Sequence, residues 1–144
     1  MFISLSKKSI IAAMSALILI IFICGEFSAA GQNNIPAKTN AERLEFISSL
    51  NIKSENVCCE EKKLVIPRVF GEVYKNYNSV QKKAGFDLSA FAGCEARVYS
   101  YKITDQKEFG DNAYVHLIVY KNCVIGGDIS STELAGFMLP LAPV

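Results

Sequence analysis

His116 is the only histidine in the 144-residue chain. It stands in a run, Ala113 to Tyr120, that alternates like a strand, where it shares a face with Tyr114, Ile118 and Tyr120. An imidazole exchanges protons near neutral pH, but catalysis also needs a nucleophile or carboxylate beside it in space. Pairing Cys94 or Cys123 with His116 would make a thiol enzyme, yet the local sequences that flank such a cysteine are missing. The plainer reading of His116 is a half-buried strand residue. No GxSxG, HExxH, phosphate-loop or dinucleotide motif occurs.

A second constellation is Gly126-Gly127-Asp128. Paired glycines reach left-handed backbone angles, and successive N–H groups then cradle an anion. Asp128 follows directly, and Ser130, Ser131 and Thr132 add hydroxyls. Gly126, Gly127, Asp128 and Ser130 therefore form a candidate recognition turn. The plainer alternative, which the sequence favours, is a bulge that ends a strand, with Asp128 capping nearby backbone. Tyr74, Tyr77, Tyr99, Tyr101 and Tyr114 offer a floor for a glycan or peptide groove. As core residues they would instead send only their hydroxyls to the rim.

The cysteines are Cys24, Cys58, Cys59, Cys94 and Cys123. Cys24 belongs to an apolar N-terminal run. The other four are candidate disulfide cysteines if the domain works in an oxidising place, and their three pairings stay open. Cys58 and Cys59 are adjacent, and bridging them would strain the ring. The alternative is four incidental thiols. No CxxC occurs and His116 lies at no ligand spacing from a cysteine, so neither a metal nor a cofactor is expected.

These groups depend on the elements that carry them. Thr39 and Glu42 form a capping box that predicts a short helix over residues 40–50, with Leu44, Ile47 and Leu50 inward and Asn51 as its left-handed stop. Val57 to Ile66 reads as a strand ended by Pro67, which suits the first turn of a following helix. In that helix Phe70, Val73, Tyr74, Tyr77, Val80 and Ala84 fall on one face, and Gly85 stops it. Leu88 and Phe91 form a compact turn closed by Gly93. Strands follow over residues 96–103 and 113–120, and a third starts at Val124-Ile125 and breaks at Gly126-Gly127. Short connections predict antiparallel pairing. The expected fold is α+β: a three- to four-stranded meander covered on one face by one long and one short helix.

The address comes from the N-terminus. Lys7-Lys8 precedes an uncharged run, Ser9 to Gly25, in the pattern of a secretion signal or signal-anchor. Lysines on that side keep it in the cytoplasm and put the following chain outside. Residues 1–30 are thus read as signal or anchor, which meets the membrane through residues 9–25. Residues 31–38 are a linker, and residues 39–144 a single domain. Cleavage would leave the domain secreted. Without Lys7, Lys8 and Glu26, the 15 basic and 14 acidic residues fall to 13 of each. No basic stripe exists, so nucleic acid is not an expected partner.

At the same residues a resemblance appears. Tyr77 to Gly93 reads YNSVQKKAGFDLSAFAG, and RVYSYKIT, LIVYKNCVIGGDISS and LAGFM follow. Together they resemble a bacterial family known only as a domain of unknown function, four-eight-three-zero, over about Ala41 to Leu139. The resemblance implies a Gram-positive envelope protein with one N-terminal membrane segment, and no known activity. Cys94 and Cys123 stand where the family pattern has polar or lysine residues, and Met138-Leu139 lacks the histidine expected after GFM. Two function classes result. One is a non-enzymatic extracytoplasmic module that binds an envelope protein, a peptide or a wall component. The other is an envelope hydrolase or thiol enzyme using Asp128, His116 or a cysteine.

Overall fold

The computed structural model describes residues 34–143, so the apolar run 9–25 lies outside the described residues. Helix α1 spans Asn40–Ser49. Its capping box forms: the Glu42 amide donates to Thr39 Oγ1 at 3.2 Å, and the Thr39 amide donates to Glu42 Oε2 at 2.8 Å. Asn51 takes a φ of 60° just beyond it, the left-handed angle that asparagine tolerates. The order then runs β1 (Glu60–Val65), α2 (Glu72–Lys83), a 3₁₀ turn (Leu88–Phe91), β2 (Glu95–Lys102), a second 3₁₀ turn (Lys107–Phe109), β3 (Ala113–Tyr120), β4 (Cys123–Ser131) and β5 (Met138–Pro140).

All strands join one antiparallel sheet in the order β1-β2-β3-β4-β5. The meander is as expected, but it has five strands. The fifth arises because Gly126-Gly127 does not end β4: the strand continues to Ser131 and a short loop returns β5 against it. A register shift between Ile118 and Val119 leaves Ile125 as the extra residue of a bulge, and the strand passes through it.

Helices α1 and α2 cover opposite faces, which corrects the expectation of one covered face. On one face Ile47 of α1 packs with Tyr101, Ile103, Val115, Leu117 and Ile129. On the other, Tyr74 and Tyr77 of α2 join Ala96, Val98, Ile118 and Ile125. Alternation along β2 and β3 makes both faces apolar, so one helix would leave the second face in water. Arg43 fastens α1 down. Buried, it donates from Nε to Tyr101 Oη at 2.7 Å and from Nη1 to the Ala37 carbonyl at 2.9 Å, and its guanidinium lies 3.9 Å over the Tyr99 ring.

Three boundaries differ from the sequence reading. Val57 is 72 % exposed, and pairing starts only at Glu60. Pro67 lies in a loop, because α2 begins at Glu72 behind Gly71. Within α2 the buried side is rotated: Val73 is 84 % exposed, whereas Asn78 and Gln81 are buried. Residues 34–38, read as linker, are tied to the domain. The Ala37 amide donates to the Asn122 carbonyl at 2.8 Å, the Val124 amide to the Ile35 carbonyl at 2.9 Å, and Pro36 bridges to Cys123. Among the described residues no helix is long and apolar enough to cross a membrane.

Candidate functional site

The register of the meander assembles a polar row on the α2 face. Glu60 of β1 pairs with Ser100 of β2, Ser100 with His116 of β3, and His116 with Asp128 of β4. Directly opposed residues hold their Cβ atoms about 4.5–5.5 Å apart, so the row is continuous. Within it, Ser100 Oγ lies 2.7 Å from His116 Nδ1. In one tautomer the hydroxyl donates to a bare Nδ1, and in the other Nδ1–H donates to the hydroxyl. Either way Ser100 fixes the ring.

The His116 end of the row opens to solvent. Cys59, Glu60, Ser100, Tyr114, His116 and Thr132 line a cleft of about 320 Å³. The Tyr114 and His116 rings lie side by side, with centroids 6.3 Å apart and planes inclined by 23°, and make one wall. Glu60 adds a half-exposed carboxylate that pairs with Lys62 at 2.8 Å. The Cys59 thiol donates to the Ser100 carbonyl at 3.1 Å. Burial pushes that thiol above its usual range, and neighbouring Cys58 adds to the effect.

The Asp128 end is closed. Asp128 is 5 % exposed beneath α2. Tyr77 Oη donates to its Oδ2 at 2.8 Å. Burial, then the adjacent carboxylate, pushes the Tyr77 phenol far above its usual value. Gln81 Oε1 accepts from the Gly127 amide at 2.7 Å. This docking explains Gly126, and the close backbone of β3 explains Gly127. A Cβ on Gly126 would lie 2.8 Å from Gln81 Oε1, and one on Gly127 would lie 2.1 Å from the His116 carbonyl oxygen. Gly126 thus lets the helix side chain reach the strand.

The expected recognition turn is therefore the interior of β4, with Gly126, Gly127 and Asp128 buried and Ser130 partly buried. The Gly127 amide is taken by Gln81, so it is not free to cradle an anion. Asp128 caps no backbone; its partner is a phenol. His116 and Asp128, read as separate candidates, are neighbours. Among the described residues Cys58, Cys59, Cys94 and Cys123 are free thiols. Cys58 donates to the Glu60 carbonyl and packs against the α1-side core, Cys123 donates to Asn34 Oδ1, and Cys94 lies just before β2. Among the described residues, no group of three or more His, Cys, Asp or Glu is placed to hold a metal.

Sequence reasoning missed Ser100, Glu60 and Gln81. Ser100 was visible as a small polar residue in the Ala96, Val98, Ser100 alternation, but its neighbour in space depends on register. Asn78 and Asp87 look like site residues and are structural. Asn78 Nδ2 donates to Asp87 Oδ1 at 2.9 Å, and the Leu88 amide donates to Asn78 Oδ1 at 2.8 Å. Hydrogen bonds from Asn78 and Ser89 hold the Asp87 carboxyl well below the usual range. The pair ties α2 to the turn after it.

The model of a family described as "Domain of unknown function (DUF4830)" matches residues 30–129. The match takes in the polar row and stops before Ser130 and Thr132. No curated protein and no solved structure matches the chain.

Proposed function

This chain belongs to the DUF4830 family, and from that premise we propose that its domain is an extracytoplasmic, membrane-associated binding module that takes a peptide or wall fragment in the cleft beside His116. The observation that carries the reading is the Tyr114–His116 wall, flat and partly exposed, set among the hydroxyls of Ser100 and Thr132 and the Glu60 carboxylate. Flat rings with acceptors around them suit the faces of sugars and the backbone of peptides. The address is supported by Lys7-Lys8 ahead of the uncharged run 9–25.

The Ser100–His116 contact favours a second reading, a hydrolase with Ser100 as nucleophile. Three observations weigh against it. Ser100 is 3 % exposed, so an electrophile must cross the strand surface to reach its hydroxyl. The Asp128 carboxylate accepts from Tyr77, and no hydrogen bond joins it to the imidazole that it would orient. Around Ser100 the backbone is engaged in strand pairing, where an oxyanion would need free N–H donors.

The test has two arms. Protease added to intact spheroplasts should digest the domain; digestion only after lysis would refute the address. Calorimetric titration with a disaccharide–tetrapeptide wall fragment should show saturable binding. Tyr114→Ala should weaken it about tenfold, the loss of roughly 1.4 kcal/mol of ring contact. Equal affinity in the variant, or no heat with the parent, would sink the cleft reading.

A further inference from the structure

Three buried side-chain atoms among the described residues lack a hydrogen-bond partner: Tyr74 Oη, Gln81 Nε2 and Asp128 Oδ1. All three lie in the single layer between α2 and the sheet. Tyr74 and Gln81 sit seven residues apart on the sheet-facing side of α2, with Tyr77 between them on Asp128. Gln81 docks on Gly127, the residue next to Asp128. Buried polar atoms without partners are rare in proteins, and three in one layer need an explanation. Asp128 is 95 % withdrawn from solvent, and among the described residues no lysine or arginine forms an ion pair with it.

We propose that the cleft continues beneath α2 as a hydroxyl-binding subsite, in which Asp128 Oδ1 accepts from, and Gln81 Nε2 donates to, a hydroxyl of a saccharide when α2 lifts. The chemistry follows from the unused capacities. A carboxylate oxygen takes only a donor, and an amide nitrogen offers only a donor, so a group that does both completes the pair. A sugar hydroxyl does both, and Tyr74 Oη, with either capacity to spare, serves a second hydroxyl. The position fits as well, since His116 on the cleft wall and Asp128 are opposed in register. A ring stacked on Tyr114 and His116 would send its edge along the row towards Asp128. The weak seal of α2 permits the movement. Its fully buried side chains are the polar Asn78 and Gln81, and its apolar contacts are half-buried tyrosines.

This rests on the cleft reading above, and the experiment separates the two. The probe is a neutral disaccharide of N-acetylated hexosamines without peptide, titrated into the full domain. Hydrogen exchange at Gly127 reports on α2, because that amide is protected by Gln81. It should exchange at least tenfold faster than the Ile103 amide, which bonds to the Ala113 carbonyl, and saturating disaccharide, which holds α2 lifted away from Gly127, should speed it further. Tyr74→Phe removes an unpartnered hydroxyl and nothing else, so it should melt no lower than the parent yet bind the disaccharide roughly fivefold more weakly. Full affinity in Tyr74→Phe, with loss in Tyr114→Ala, would overturn the subsite and leave the cleft standing. Gly127 exchange as slow as that of Ile103 would overturn it too. If the parent binds neither the disaccharide nor the wall fragment, both readings fall together.

Discussion

Tyr77 joins stability to the polar row. Its phenol is pushed upward by burial and by the Asp128 carboxylate it serves. A phenol whose folded pKa is raised adds stability that is fully present below the unfolded value near 10 and is lost as pH rises past it. Tyr77→Phe should therefore soften the alkaline decline of the melting temperature above about pH 10. At neutral pH it should cost about 1–3 kcal/mol, because Asp128 Oδ2 is left buried without its donor. Melting curves from pH 7 to 11 check this; parallel declines in parent and variant would show that Tyr77 is not the coupled phenol. At this scale the sequence was legible in part. It marked His116, Asp128 and Tyr77 as residues able to do chemistry, and it could not join them. His116 and Asp128 are brought together by a pairing register, which a bulge at Ile118/Val119 shifts by one residue.

The elements were more legible where a local rule decides them. The capping box of Thr39 and Glu42, and the positive-φ stops at Gly85 and Gly93, appear where local chemistry puts them. The errors fall where tertiary contact overrides local preference. Gly126-Gly127 reads as the end of a strand, yet it lies inside β4 because α2 approaches there through Gln81. For the same reason Gln81 faces inward and Val73 outward, against the apolar stripe. A ranking of two substitutions follows. Gly127→Ala would press a methyl against the His116 carbonyl, a backbone atom 2.1 Å away, at a φ of 154°. It should cost about 3 kcal/mol. Gly126→Ala meets the ends of the Gln81 and Leu88 side chains, rather than backbone, at 2.8 and 3.0 Å. It should cost about 1 kcal/mol and loosen α2. Urea unfolding measures both, and the reverse order would contradict the close approach of the His116 backbone at Gly127.

For the whole molecule, the α+β class and the antiparallel meander were readable from strands joined by short connections. The strand count and the second covered face were not. β5 is three residues long, and β1 is mostly charged and exposed, so neither carries a strong apolar alternation. Those charges also blunt a sheet edge that would otherwise invite pairing with another chain. Charge balance in the domain argues against a polyanionic partner. The most informative geometry is an aromatic wall over a polar row. The most direct measurement of the central claim is a two-dimensional amide spectrum of the domain, titrated with the disaccharide–tetrapeptide fragment. The account predicts that shifts cluster on Ser100, Tyr114, His116 and Thr132, and that the fragment is recovered uncleaved after prolonged incubation. Shifts confined to the α1 face, or a fragment cut in the presence of the parent and left whole by Ser100→Ala, would contradict it.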